Sequence, residues 1–337
     1  MTMSMFKTQK KKMLFLAIVL GVYLPGAGLF AEGTQAMSKE STGMYVSIRE
    51  SSLTQNTFAT TQEGLAYLGI QSIELSLDRD FSVHAPDKEE KVILASDDDV
   101  RAFRARSESH GVHICAVLTA CDFSAGDKES NVSWVVRAIE IADLLGAETV
   151  RIDSAMSKER ELDFERRVQL FSDALSEVLA RTPNSSITLG IENHGFQGNN
   201  LAFLLNIFQE VGSDRLGSTL DLGNFYWRGY PLSEVYGIIS VLAPYTKHTH
   251  VKNINYPEEM REVTREAGWQ YGRYACPLDE GDIDLEKALG ILAKAGYRGN
   301  ICIEDESLGK GKTNEERIAI LKRDVDHLQA IIERLNP

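Results

Sequence analysis

The sequence predicts an α/β fold: one closed (β/α)8 barrel preceded by an N-terminal signal segment. Three observations carry that expectation. From residue 43 onward, short Val/Ile-rich runs alternate with longer stretches whose apolar residues recur at i, i+3 and i+4. The alternation repeats eight times in about 290 residues, close to the roughly 250 that such a barrel needs. No glycine-rich phosphate loop follows the first run, which argues against the rival architecture, an open doubly wound sheet. Repeated strand–helix alternation then requires parallel strands joined by right-handed crossovers.

Each element has its own signal. "MYVSIR" (44–49) is the first strand and leads to a helix around 57–68. "SIELSL" (72–77) precedes a helix around 97–109, with "VHAPDKEEK" (83–91) between them as a solvated loop. "HICAVLTA" (113–120) is followed by a helix at 129–144, and "TVRID" (149–153) by a long helix at roughly 159–181. "ITLGIE" (187–192) leads to "LAFLLNIFQEVG", and "GSTLDL" (217–222) to "LSEVYGIISVLAPY". "KHTHVKN" (247–253) opens a long loop before "DLEKALGILAKAG". "NICIEDE" (300–306) leads to the last helix, in "EERIAILKRDVDHLQAIIERL".

Residues 1–36 stand apart from the barrel at 43–335. Lys7, Lys10, Lys11 and Lys12 precede the uncharged run "MLFLAIVLGVYLPGAGLFA" (13–31), which ends in small residues. That pattern reads as a secretory signal peptide, with a retained membrane anchor as the alternative, since the run is long enough to span a bilayer. Export to the periplasm or the outside follows, or attachment to the membrane. No Cys lies near the apolar run, which disfavours a lipoprotein. Residues 1–31 hold four of the 36 basic residues and no acidic ones, leaving 32 basic against 49 acidic groups. A field of that sign repels phosphate backbones, so nucleic acid is excluded as a partner. Cys115, Cys121, Cys276 and Cys302 lack zinc-type spacing. Cys115 and Cys302 sit in strands, whereas Cys121 and Cys276 fall in loops and are candidates for pairing in an oxidising compartment.

In such a barrel the C-terminal strand ends form one rim. Glu192, Asp221, His250 and Glu304 lie near the ends of strands five to eight, so four chemically capable groups converge. Three carboxylates and an imidazole suit one divalent cation, with Mn²⁺, Mg²⁺ or Co²⁺ favoured and Zn²⁺ also able to fit. Without a cation the carboxylates would raise one another's pKa values. Glu74 and Arg151 point inward from strands two and four, as substrate contacts or as a buried ion pair. Arg273 and Trp269, in the loop 254–283, are placed to close over a substrate. Asp284 reads as the N-cap of its helix, Gly281 as a backbone turn, and Asp122 as a loop cap; His84 is not read as a ligand.

"IENHG", "TLDLGN", "HTHVKN", "PLDEGDID" and "GYRGNICIE" together resemble the strand-end motifs of the xylose isomerase-like TIM-barrel superfamily, the sugar isomerase/epimerase group. The resemblance covers roughly 43–335 and is strongest over 187–306. It implies that Glu192, Asp221, His250 and Glu304 ligate the metal and that Glu192 and Glu304 also form the proton-transfer pair. His194, Asn224 and Lys252 fall where the family contacts substrate. Asp279 stands where the family carries glycine, and Asn253 replaces the acid of its H-x-K-D pattern, which puts the support of Lys252 in question. The implied activity is isomerisation or epimerisation of a free ketose, an inosose or a related polyhydroxy carbonyl compound through an enediolate. A lyase or dehydratase on the same site is the first alternative, and a sugar-binding barrel without chemistry the second. The implied partner is a small sugar, with a homo-oligomer in keeping with the group.

Overall fold

The computed structural model describes residues 43–336 apart from 55–56, 158–159 and 310. The segment 1–36, read from sequence as a signal or anchor, lies outside the described residues. Among those described, no helix is long and apolar enough to cross a membrane.

Eight parallel strands close into a barrel: Tyr45–Arg49 (β1), Ser72–Ser76 (β2), His113–Leu118 (β3), Thr149–Ile152 (β4), Thr188–Glu192 (β5), Leu216–Asp221 (β6), Thr246–Val251 (β7) and Asn300–Ile303 (β8). Neighbours in sequence are neighbours in the sheet, and β1 pairs with β8 to complete the ring, with Ser47 opposite Cys302 and Ile48 opposite Ile303. The strands are buried almost throughout, polar residues included, because both faces are covered, one by helices and the other by the barrel interior. Eight longer helices alternate with them: Thr61–Leu68 (α1), Asp97–Ser109 (α2), Lys128–Leu145 (α3), Phe164–Arg181 (α4), Leu201–Val211 (α5), Leu232–Leu242 (α6), Leu285–Lys294 (α7) and Asn314–Leu335 (α8).

Local chemistry sets the helix ends. Capping boxes start α2 (Ser96 with Asp99) and α8 (Thr313 with Glu316). Gly146 ends α3 in the left-handed region, at φ 79°, where a Cβ would be strained. Two expected boundaries shift for the same reason. α1 begins at Thr61, not near 57, because Thr60 is extended and its hydroxyl accepts the Glu63 N–H. α4 begins at Phe164, not near 159, because Asp163 caps the Arg166 N–H.

The segment 83–91 is not simply a solvated loop. Ser82–His84 and Lys91–Ile93 pair as an antiparallel hairpin with Val83 opposite Val92, and Val83 is buried. His84 meets Glu50 at 2.9 Å, away from the rim cluster. All four cysteines are free and buried, so Cys121 and Cys276 are not paired.

On α8, Asp324 is fully buried and accepts the Leu278 backbone N–H at 2.9 Å. Burial and the facing Asp305 carboxylate push its pKa up to about 9, against 3.8 in an open chain. The folded state therefore holds a proton that the unfolded chain releases. The stability this contributes is complete below the unfolded value and is lost as pH rises toward the folded one. Asp324→Asn keeps the acceptor and removes the titration. Its melting temperature is expected to vary less between about pH 5 and pH 9 than that of the unmodified chain. Parallel melting profiles by circular dichroism would refute this.

Candidate metal and active site

The strand register brings four side chains to one point. Glu192 and Asp221 end β5 and β6, His250 is the penultimate residue of β7, and Glu304 follows β8. One donor atom from each lies within 4.8 Å of all the others, and all four residues are buried. His250 Nδ1 stands 3.5 Å from Glu192 Oε1 and 3.3 Å from Glu304 Oε2.

Backbone chemistry holds the cluster in place. Asp221 Oδ1 accepts the N–H groups of Gly223 (2.7 Å) and Asn224 (2.8 Å), the first turn after β6. Its other oxygen is left pointing at the cluster. Asn193 ties β5 to β6: its Oδ1 accepts the Asp221 N–H (2.7 Å) and its Nδ2 donates to the Asp221 carbonyl (2.9 Å).

Cations surround the carboxylates. Arg151 donates through Nε to Glu192 Oε2 (2.5 Å) and through Nη1 to the Thr119 carbonyl (3.1 Å), with Asp153 at 3.2 Å. Arg49 pairs with Glu304. Lys252 Nζ lies 3.1 Å from Asp221 Oδ2, 3.5 Å from Glu304 and 2.5 Å from Glu306. Burial opposes the charge on Glu192 and Glu304, but Arg151 and His250 on the first, and Lys252, His250 and Arg49 on the second, hold both well below the carboxylate range. Asp221 goes the other way. Burial and the charges of Glu304 and Glu192 raise it, against the opposing pull of Lys252. Burial lowers His250, but Glu74, Glu304 and Glu192 outweigh it and raise the imidazole well above its ordinary value.

These features fit a divalent cation. Burial and the charges of Glu304 and Glu192 raise Asp221 even with Lys252 beside it, and a bound ion would relieve that repulsion. Asp221 Oδ2, with Lys252 as its charged neighbour, and His250 Nδ1, with Glu192 and Glu304 as its own, are also buried and face the cluster rather than the backbone. Both belong to the four-residue set, whose oxygen-rich donors with one imidazole suit Mn²⁺, Mg²⁺, Co²⁺ or Zn²⁺.

Of the residues expected to contact substrate, three join the cluster and one does not. Asn224 Nδ2 donates to Glu192 Oε1 at 3.3 Å. His194 Nδ1 meets Asp153 at 2.9 Å, and its side chain is 42% exposed at the mouth. That hydrogen bond raises its pKa. Lys252 is buried among the acids. Arg273 lies elsewhere, exposed against the Tyr274 ring on a cavity of about 400 Å³ whose walls include none of the four donors. The same loop instead brings the Tyr271 hydroxyl beside Lys252 and Glu306. Trp269 stacks on Tyr274 at 5.7 Å. Arg151 and Glu74, left open between two roles, are both in buried polar pairs, Arg151 with Glu192 and Glu74 with His248 and His250. Asp122 and Asp284 are caps as expected.

Sequence reading passed over Arg49, Asp153, His248 and Glu306. The signal for the first two was available, since each stands at the end of a strand run already identified, "MYVSIR" and "TVRID". His248 lies two residues before His250 and so shares its face of β7.

Residues 63–331 match the family model described as xylose isomerase-like TIM barrel. No curated protein sequence matches the chain. Among solved structures, the IOLI protein with a bound zinc atom superposes with a TM-score of 0.63 at 17% identity, covering 87% of this chain and 99% of that one. An L-ribulose 3-epimerase gives 0.61 at 16%, covering 87% and 95%. A probable 3-DHS dehydratase from Bacillus anthracis, involved in petrobactin synthesis, gives 0.59 at 15%, covering 85% and 99%. At these identities the likeness is one of fold.

Asn253, where the motif family carries an acid, has a local reason. Its Nδ2 donates to the carbonyls of Leu278 (2.8 Å) and Ile283 (3.1 Å), while Oδ1 accepts the Ile283 N–H (3.1 Å). An aspartate has no donor for those carbonyls. Lys252 is held by Asp221, Glu304 and Glu306 instead, so the change does not weaken it. Gly281 packs here as well. Its φ is −93°, so it serves no left-handed turn, but a Cβ would come within 2.0 Å of the Asn253 side chain. Asn253→Asp is expected to lower stability by at least about 1–3 kcal/mol through the orphaned carbonyls. An unchanged midpoint in urea denaturation would contradict this.

Proposed function

The chain belongs to the xylose isomerase-like TIM-barrel family, and from that premise we propose that it is a divalent-metal-dependent isomerase or epimerase of a free polyhydroxy carbonyl compound. The observation that carries the reading is the convergence of Glu192, Asp221, His250 and Glu304, each buried and offering one donor atom to a common point. A divalent ion held by these four would polarise a carbonyl and its adjacent hydroxyl and acidify the C–H between them.

The chain's own residues do the rest. Arg151 and Arg49 keep Glu192 and Glu304 ionised, so each can receive a proton. One carboxylate takes the proton from carbon to leave an enediolate; the other, after drawing a proton from solvent, delivers that proton to the opposite face, and the first then releases its own to solvent. Return to the same carbon gives an epimer, and return to its neighbour gives an isomer. Lys252, Asn224 and His194 orient the substrate hydroxyls. On the leader read in residues 1–36, the enzyme works outside the cytoplasm, which favours a free sugar, an inosose or a keto-glycoside over a sugar phosphate.

A lyase reading has one specific support. His194, hydrogen-bonded to Asp153 and open to the mouth, is placed to give a proton to a departing group. Elimination would share the first proton removal and differ only in where the electron pair goes.

Two measurements test the proposal. Residues 37–337 are expected to carry about one equivalent of divalent metal, lost in Asp221→Ala/His250→Ala. Failure to bind after incubation with Mn²⁺, Co²⁺ and Zn²⁺ would sink the enzyme reading and leave a sugar-binding barrel. In a screen of ketoses, inososes and keto-glycosides, the substrate is expected to take up solvent deuterium at carbon. Glu192→Gln or Glu304→Gln should each slow that exchange by about 10²–10⁴-fold.

A further inference from the structure

Glu74, at the middle of β2, is fully buried and reaches across the barrel interior to β7. Its Oε2 lies 2.9 Å from His250 Nε2, and its Oε1 3.0 Å from His248 Nε2. An ionised carboxylate only accepts hydrogen bonds, so each imidazole must carry its hydrogen on Nε2.

We propose that Glu74 is the positioning residue of the metal site: it fixes the hydrogen of His250 on Nε2 and so makes Nδ1 the metal-facing atom. This rests on the metal-site reading above. A hydrogen on Nδ1 alone would leave the Nε2 lone pair facing Glu74 at 2.9 Å with nothing between two acceptors. With a hydrogen held on Nε2, Nδ1 is the ring atom that faces Glu192 and Glu304 and that a metal ion can take in place of its proton. The second oxygen matters as well. Held by His248, the carboxylate cannot rotate away from His250.

The same atoms offer a rival arrangement, because Glu74, His248, His250 and Cys302 are also close enough to hold an ion among themselves. That ion would take His250 through Nε2 and leave Nδ1 protonated, toward the rim. It would compete with the four rim donors for a single imidazole. The rim arrangement satisfies Glu74, Asp221 and His250 together.

The test uses the full-length chain with Zn²⁺ and Co²⁺ as probes. In ¹⁵N-histidine spectra of the Zn²⁺-loaded protein, with His250 assigned from a His250→Gln variant, Nε2 is expected to carry a slowly exchanging hydrogen and Nδ1 the metal-induced shift. Glu74→Gln keeps the size and removes the charge. It is expected to weaken Zn²⁺ binding by about 10- to 100-fold in competition with a chromophoric chelator. The Co²⁺ spectrum should lack a thiolate charge-transfer band, since no sulfur is among the rim donors.

A metal-shifted Nε2, or a thiolate band that disappears in Cys302→Ser, would overturn the assignment in favour of the deeper set. Equal affinity in Glu74→Gln would overturn it while leaving the metal site intact. Failure of the unmodified chain to bind either ion would bring down the metal-site reading and this one with it. The spectra of the unmodified chain decide the question even if Glu74→Gln does not fold.

Discussion

Too many carboxylates share a space with too little water, and the barrel mouth is organised around that constraint. Glu74, Asp153, Glu192, Asp221, Glu304 and Glu306 surround it, against the permanent charges of Arg49, Arg151 and Lys252. In a medium of low dielectric such charges cannot be left unpaired. Each cation is therefore shared among several acids, and His250 is drawn into the positive form. Asp221 shares Lys252 with Glu304 and Glu306, and burial still raises its pKa. Such a crowd of acids would accept a further positive charge.

The barrel makes that concentration of charge tolerable. Parallel strands deliver one side chain each to the rim, and the ring of hydrogen bonds beneath them fixes the spacing. Side-chain amides then complete what the ladder leaves undone. Asn193 joins β5 to β6 just below two of the acids, and Asn253 ties the strand after β7 to the loop that returns over the site. Both are fully buried and use donor and acceptor at once, which a carboxylate could not do.

The same logic separates the machinery from what decides the product. In the proposed reaction, proton removal from carbon falls to the ionised carboxylates of Glu192 and Glu304. Whether the electron pair then re-protonates a carbon or expels a group depends on what stands over the substrate. Here those groups are His194 with Asp153, and Tyr271 beside Lys252 and Glu306, all arriving from loops or from the positions just past a strand. Specificity in such a barrel belongs to those segments.

The sequence by itself determined the barrel, its eight strands, most helix boundaries and the identity of the four convergent donors. Those depend on local periodicity and on position along a strand, and both are written in consecutive residues. It could not determine partners. Glu74 meets histidines 174 and 176 residues away, and Arg49 meets a glutamate 255 residues away, because β2 faces β7 across the interior and β1 pairs with β8 only once the ring closes. The loop 254–283 shows the same limit at short range. Its sequence offered Arg273 for the site, but the hairpin of Asn253–Ile254 with Ala275–Cys276 turns Arg273 outward and Tyr271 toward Lys252. Which side chain of a loop faces the chemistry is decided by how its two ends pair, and that pairing exists only in the folded chain.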